Sequence, residues 1–203
     1  MQVPLHYQVT RHDCGPTTAV NALSFLLDRE ELPAPAVQHV WATMLDRPHG
    51  GTSANAMRFF AEWVCDIAAG WDVPLAAEHL RGDDVTLKGD SRIVACVEDG
   101  GCCIASTHLG CDHYVLLTGI ERSGYGAITR VRLFDSWLQD QEGDPFAAGG
   151  DFDGASRDQI ACVTDAPFSH NRIVDASLLD SPVQRPYSFV CDTPREATLL
   201  WRA

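Results

Sequence analysis

Cys14 is the first residue of this sequence whose type and surroundings could do chemistry. It lies where a polar segment, Q-V-T-R-H-D-C-G-P, gives way to an apolar helical pattern, T-T-A-V-N-A-L-S-F-L-L. Asp13 can cap a helix that begins there, and Pro16 fits the first turn because no N–H is needed from it. A thiol at a helix N-terminus lies beside unpaired N–H groups and the positive end of the helix dipole. Both stabilise the nucleophilic thiolate, although a buried core thiol would fit the same pattern.

A histidine and an aspartate in the second half of the sequence could supply a base and an acid that orients it. His113 opens the run H-Y-V-L-L-T-G-I, Asp135 closes the run I-T-R-V-R-L-F-D, and R-S-G-Y-G between them is a turn signal. A three-residue loop closed by Arg122 and Gly126 sets the register of this hairpin. The predicted cross-strand pairs are Leu117 with Val131, Val115 with Leu133, and His113 with Asp135. Directly paired side chains have Cβ atoms ~5 Å apart, which predicts an imidazole–carboxylate hydrogen bond.

Cys14, His113 and Asp135 would then form a nucleophile, a base and an orienting carboxylate. Gln8 precedes the Cys14-Gly15-Pro16 segment by six positions, and Asp135 begins the tripeptide Asp-Ser-Trp. These three blocks, in this order, resemble the papain-like cysteine peptidase superfamily, with Asp where its Asn-Ser-Trp motif has Asn. The D-C-G-P-T-T-A form is most similar to stand-alone relatives of the bacteriocin-processing, double-glycine leader peptidases, in which Asp commonly fills that position.

The resemblance implies a role for each matched residue. Gln8 and the backbone N–H of Cys14 would donate to a developing oxyanion, and Cys14 would attack a carbonyl to form an acyl-enzyme. His113 would pair with the thiolate and then protonate the leaving group, while Asp135 would hold its ring. Trp137 would cover the His–Asp pair from water. The resemblance therefore implies a papain-like fold and a thiol hydrolase, a cysteine peptidase, that cleaves a peptide or small amide.

Two other functions use the same residues. An acyl transferase of the phytochelatin-synthase or transglutaminase kind would replace water with an amine or thiol acceptor. A catalytically silent peptide-binding module would keep the fold without turnover. Specificity is expected in cleft loops at His49 to Thr52 and Gly110 to Asp112, with Gly51, Thr52 and Asp112 as candidate substrate-binding residues.

Composition limits the classes of partner. The net charge of −13 argues against nucleic acid or an anionic membrane as the main partner. No apolar run approaches the ~20 residues of a membrane span, and the N-terminus lacks signal-peptide features, so a cytoplasmic protein with reduced cysteines is expected. Adjacent Cys102 and Cys103 would point to opposite faces of a strand, which makes the nearby Cys and His residues a poor zinc site. No metal or cofactor is predicted.

The period of the apolar pattern changes along the chain. Helices are predicted at about 14–28, 36–45 and 54–68, with Thr52 or Ser53 as the N-cap of the third. The apolar stripe of the second helix is predicted to be Val37, Val40, Trp41, Met44 and Leu45. Strands are predicted at 71–75, 91–97, 102–106, 113–120, 128–135, 159–164 and 187–192, and an acidic Gly-rich loop at 139–158. The pattern is α+β in one domain, 1–203, with a helical half to about residue 90 packed on one side of an antiparallel sheet.

Overall fold

The computed structural model describes residues 1–48, 50–70, 73–137, 159–163 and 168–203, with only the backbone at 69 and 162. Its described helices are α1 (Cys14–Leu26), α2 (Ala34–Thr43), α3 (Ala54–Gly70), α4 (Arg92–Glu98) and α5 (Ala176–Leu179). Its described strands are β1 (Leu75–Arg81), β2 (Cys102–His108), β3 (Asp112–Arg122), β4 (Ile128–Phe134), β5 (Ile160–Cys162), β6 (Arg172–Asp175) and β7 (Glu196–Arg202). The α+β prediction is confirmed. The predicted acidic loop lies outside the described residues, as do the first two residues of the strand predicted at 71–75.

The described strands form one antiparallel sheet in the order β1-β7-β2-β3-β4-β6-β5. In the central pair, β2 is buried except at its last residue and β3 is buried from His113 to Leu117, with apolar side chains on both faces. Because side chains alternate along a strand, each face needs its own cover. Helices α1 to α3 and one core cluster cover the first face, with core residues that include Leu23, Leu26, Met57, Phe60, Ile104 and Leu116.

Helices α4 and α5 cover the other face of the sheet. This second core includes Ile93, Val97, Cys103, Val115, Leu133 and Leu179. The prediction that the helices pack on one side of the sheet is therefore wrong. Cys102 and Cys103 point into the two different cores, as their adjacency on one strand predicted.

Two predicted strands are wrong for local reasons. Residues 91–97 form helix α4, where the Ser91 side chain caps the helix by accepting from the Val94 N–H at 3.2 Å. Ile93, Val94 and Val97 are buried at helical spacing, which the strand prediction overlooked. Residues 187–192 form a loop in which Tyr187 has a φ of 63°, incompatible with a strand.

Strands β6 and β7 were not predicted, and β1 brings part of the predicted helical half into the sheet. On α2, Val40 and Met44 are buried, but Trp41 and Leu45 are exposed, so the predicted apolar stripe is only partly buried. Ser53 caps α3 as predicted, because its Oγ accepts from the Ala56 N–H. None of the described helices is long and apolar enough to cross a membrane.

Candidate active site

Cys14 is the first residue of α1 and its side chain is almost buried. Burial opposes ionisation, but a hydrogen bond from His113 and the charge of its ring outweigh it and lower the pKa of the Cys14 thiol. The backbone N–H groups of Tyr114 and Gly15 also donate to the sulfur and lower its pKa further. The pKa of this thiol at the N-terminus of α1 is therefore shifted in favour of the thiolate, chiefly by His113.

His113 lies at the start of β3, and its Nε2 is 2.8 Å from Oδ1 of Asp135. Both side chains are buried, Asp135 completely. Burial disfavours the imidazolium, but the Asp135 charge and hydrogen bond, followed by those of Cys14, raise the pKa of His113 well above its ordinary value. Because Asp135 occupies Nε2, Nδ1 is the ring nitrogen that remains for the Cys14 sulfur. The three side chains thus form a continuous chain of donors and acceptors.

The predicted hairpin register is wrong, although the predicted His–Asp hydrogen bond is present. Ser123 and Ala127 close the turn, rather than Arg122 and Gly126. Leu117 consequently pairs with Leu133 instead of Val131. The register is irregular in the middle of the hairpin, but at the end that carries His113 the shift is two residues, which keeps the expected faces because the period of a strand is two. Asp135, just past the end of β4, reaches His113 along a diagonal instead of directly across.

Asp135 has three further contacts that hold its position. Its Oδ1 also accepts from the Trp137 N–H at 2.9 Å, and its Oδ2 accepts from the Tyr187 hydroxyl at 2.7 Å. Asn171 accepts from the Asp135 N–H and donates to its carbonyl oxygen, each at 2.8 Å. Burial raises the pKa of the Asp135 carboxyl, but His113 and these donors outweigh it, so that the pKa lies below its ordinary value. Asp135 is therefore ionised and fixed in orientation.

Tyr187 and Asn171 are site residues that the sequence did not reveal. Both are completely buried, and they belong to segments far along the chain from Asp135. Arg172 hydrogen-bonds the Tyr187 hydroxyl, so an arginine lies behind the tyrosine that contacts the carboxylate. Burial and the Asp135 charge raise the pKa of Tyr187 well above its ordinary value, which keeps the hydroxyl protonated as a donor. The side chain of Trp137 is half-buried, and its predicted covering role stays a prediction.

Gln8 is attached to the segment that carries Asp135. Its N–H donates to the Ser136 carbonyl oxygen at 2.8 Å, and the Ser136 hydroxyl donates to its Oε1 at 2.9 Å. One N–H of its Nε2 donates to the Thr10 carbonyl oxygen at 2.8 Å, and the amide carries a second. Asp13 does not cap α1 with its side chain, contrary to prediction. Its carboxylate accepts from the N–H groups of Val9 and Thr10, and so braces the loop that holds Gln8.

Two of the three candidate substrate-binding residues, Gly51 and Thr52, lie near residues that are close to Cys14 in the chain. Thr52 packs so closely on Gly15 that a Cβ on residue 15 would overlap the Thr52 side chain. Gly51 has a φ of 93° and lies near the His12 carbonyl oxygen, so Gly51 and Thr52 adjoin the chain on either side of Cys14. Asp112 has a structural role, because its carboxylate accepts from the Asp192 N–H and the Thr193 hydroxyl.

The described residues contain no cluster of three or more His, Cys, Asp or Glu side chains that could hold a metal ion. The seven cysteines whose side chains the structure describes are all free thiols. The arrangement of Cys14, His113 and Asp135 suits nucleophilic attack followed by proton transfer. Neither the family models nor the curated proteins searched contain a match to this chain.

Proposed function

We propose that this protein is a papain-like thiol hydrolase that cleaves an amide bond through an acyl-enzyme. The amide that we propose is a peptide bond. The observation that supports it most is the hydrogen-bonded series from Cys14 through His113 to Asp135, in which the thiol pKa is lowered and the imidazole pKa is raised. A structural cysteine packed in a core has its pKa raised instead, as Cys102 and Cys103 have here through burial. Cys14 therefore differs from Cys102 and Cys103 in having a lowered thiol pKa, which is the property that nucleophilic catalysis needs.

In the proposed reaction, the Cys14 thiolate attacks the carbonyl carbon and forms a tetrahedral oxyanion. The second N–H of the Gln8 amide and the backbone N–H of Cys14 donate to that oxygen, while Ser136 keeps the amide oriented. The His113 imidazolium gives its proton to the leaving nitrogen, the C–N bond breaks, and the thioester remains. Water, deprotonated by His113, then hydrolyses the thioester and restores the thiol. Asp135 keeps the ring oriented and stabilises its positive charge through both steps.

The test is to incubate the protein with a mixed peptide library and look for turnover and a covalent adduct by mass spectrometry. Wild type is expected to release new termini and to carry an acyl group on the peptide that contains Cys14. Cys14→Ala should lose both, while Cys103→Ala, which removes a fully buried thiol, serves as the control for altered packing. Turnover by Cys14→Ala would refute the proposal. A product extended by an added amine or thiol would assign the acyl transferase instead.

A further inference from the structure

A groove of about 570 Å³ lies between α2 and α3, away from the Cys14 thiol. Its walls combine aromatic rings with carboxylates. The residues that carry the argument are His39, Asp46, Phe59, Glu62, Trp63 and Asp66. This composition is unusual for a plain solvent-facing surface, because exposed aromatic groups on a monomer often mark a binding site.

The aromatic part of the groove is a set of rings in mutual contact that is partly open to solvent. The Trp63 ring stacks on His39 with 4.1 Å between centroids and 11° between planes. The Phe60 ring lies 6.3 Å from the Trp63 ring and is buried, so it supports the floor. Phe59 is 57% exposed at the edge, with the Arg58 guanidinium over one face of its ring. A partner with an apolar side chain would find a preformed aromatic surface there.

The polar part of the groove is negative. Asp46, Glu62 and Asp66 are among its lining residues, and none of the described lining residues is Lys or Arg. Among the described residues, Arg58, which lies over Phe59, supplies a cation at its edge. Asp46 is held in place because its carboxylate accepts from the N–H and the hydroxyl of Ser53. Glu62 and Asp66 are exposed, and the contact of Glu62 with Arg58 is long, at 4.0 Å. The groove thus adds a local negative potential to a chain whose net charge is already −13.

One loop joins this groove to the candidate active site. The chain leaves α2 after Thr43, passes Asp46 at the groove, and reaches the N-cap of α3 at Ser53, whose N–H and hydroxyl donate to Asp46. Thr52, directly before that cap, packs on Gly15, the neighbour of Cys14. An extended polypeptide bound at the thiol could therefore reach the groove by passing Thr52 and Ser53.

We propose that the groove between α2 and α3 binds a basic segment of a substrate polypeptide, with Lys or Arg side chains on the carboxylates and an apolar side chain on Phe59 and Trp63. Binding of such a segment follows from the groove alone. That the segment belongs to a substrate rests on the proposed hydrolase function. The bound segment would lie away from the bond that is cleaved, and so would select substrates by a sequence outside the scissile site.

The test measures binding of fluorescent peptides to full-length Cys14→Ala by anisotropy, so that no turnover is involved. The probe is a short peptide of alternating Lys, Leu and Phe, compared with one that has Glu for Lys and one that has Ser for Leu and Phe. Only the first is expected to bind, with an affinity that falls as salt is added. Phe59→Ala should weaken binding about tenfold, as truncation of an aromatic anchor does. Glu62→Gln with Asp66→Asn should weaken it less and reduce its salt dependence.

Tyr125→Ala is the matched control, because Tyr125 is a fully exposed aromatic residue in the turn between β3 and β4. It should leave the affinity unchanged. Equal binding of the Lys and Glu peptides, or equal losses for Phe59→Ala and Tyr125→Ala, would overturn the proposal. So would sedimentation showing a dimer that Phe59→Ala dissociates, because the groove would then be a contact between two copies. If the Lys peptide binds but the wild-type protein shows no turnover of any peptide, the groove proposal stands and the hydrolase function is rejected. If the wild-type protein turns over peptides but the Lys peptide does not bind, only the groove proposal is rejected.

Discussion

Replacing Asp135 by Asn tests whether the charge behind His113 stabilises the reactive thiolate. Asn has nearly the same shape, and the Asn171 side chain still holds the backbone at this position through two hydrogen bonds of 2.8 Å. The Asn oxygen can still accept from His113 and the Trp137 N–H, while its NH₂ group faces the Tyr187 hydroxyl. Geometry is therefore largely kept while the charge is removed.

The size of the effect follows from the 2.8 Å contact between His113 Nε2 and Asp135 Oδ1. An opposite charge at this range shifts a pKa by about 1–3 units in favour of the charged form. Asp135→Asn should therefore lower the pKa of His113 and reduce the population of the thiolate–imidazolium pair by about tenfold or more. The Cys14 pKa should rise accordingly, because the imidazolium that stabilises the thiolate becomes less available.

The assay is the rate of Cys14 alkylation by iodoacetamide as a function of pH, with the labelled cysteine identified by peptide mapping. The midpoint of the profile should move to higher pH in Asp135→Asn. Asp180→Asn is the control, because Asp180 is also a buried carboxylate, but its partners are Thr86, the Leu87 N–H and the exposed Lys88. An unchanged midpoint in a folded Asp135→Asn protein would refute the electrostatic reasoning.

Three more predictions concern the surroundings of the triad. Tyr187→Phe removes a buried 2.7 Å donor to the triad carboxylate and should cost about 1.5–3 kcal/mol of unfolding free energy in urea. The Asp135 carboxyl has a lowered pKa in the folded protein, so the stability it contributes is present above its unfolded-state pKa and is lost as pH falls through its folded-state pKa. The difference in unfolding free energy between Tyr187→Phe and wild type should therefore shrink below about pH 4. A difference that stays constant with pH would contradict this prediction. Gln8→Ala should lower kcat about 10²–10³-fold on any substrate the library yields, with little change in KM; a pure KM effect would argue against an oxyanion role. Gly15→Ala should lower Tm and the rate of Cys14 alkylation, because the new Cβ would overlap Thr52. Gly124→Ala is the control, because a Cβ there meets nothing within 4 Å, and it should match wild type. Equal Tm values for the two variants would contradict the close packing of Thr52 on Gly15.

Sequence reasoning predicted that Cys14, His113 and Asp135 lie together because each carries a local signal. Cys14 stands at the start of an apolar helical pattern. His113 stands at the start of one strand pattern and Asp135 at the end of the next, and a short turn joins the two strands. Because side chains alternate along a strand, His113 and Asp135 were predicted on the correct face even though the predicted register at that end was two residues away from the observed one. These features depend on neighbours in sequence, which a single chain displays directly.

The rest of the site depends on contacts between distant segments. Asn171 and Tyr187 lie 36 and 52 residues from Asp135, and no periodic pattern relates them to it. The left-handed backbone of Tyr187 also broke a pattern that otherwise reads as a strand. The helix at 92–98 was missed for a different reason, because β-branched residues in a short apolar run fit strand and helix alike, and only the Ser91 cap distinguished them.

The most direct test of the proposed chemistry is which cysteine reacts first. Substoichiometric iodoacetamide at mildly acidic pH, followed by peptide mapping, compares all thiols in one sample. Cys65 and Cys111 are exposed, whereas Cys14 is 9% exposed, so accessibility alone favours the first two. A thiolate stabilised by His113 predicts that Cys14 is labelled first and that His113→Ala removes this preference. Labelling of Cys65 or Cys111 before Cys14 in the wild-type protein would contradict the account.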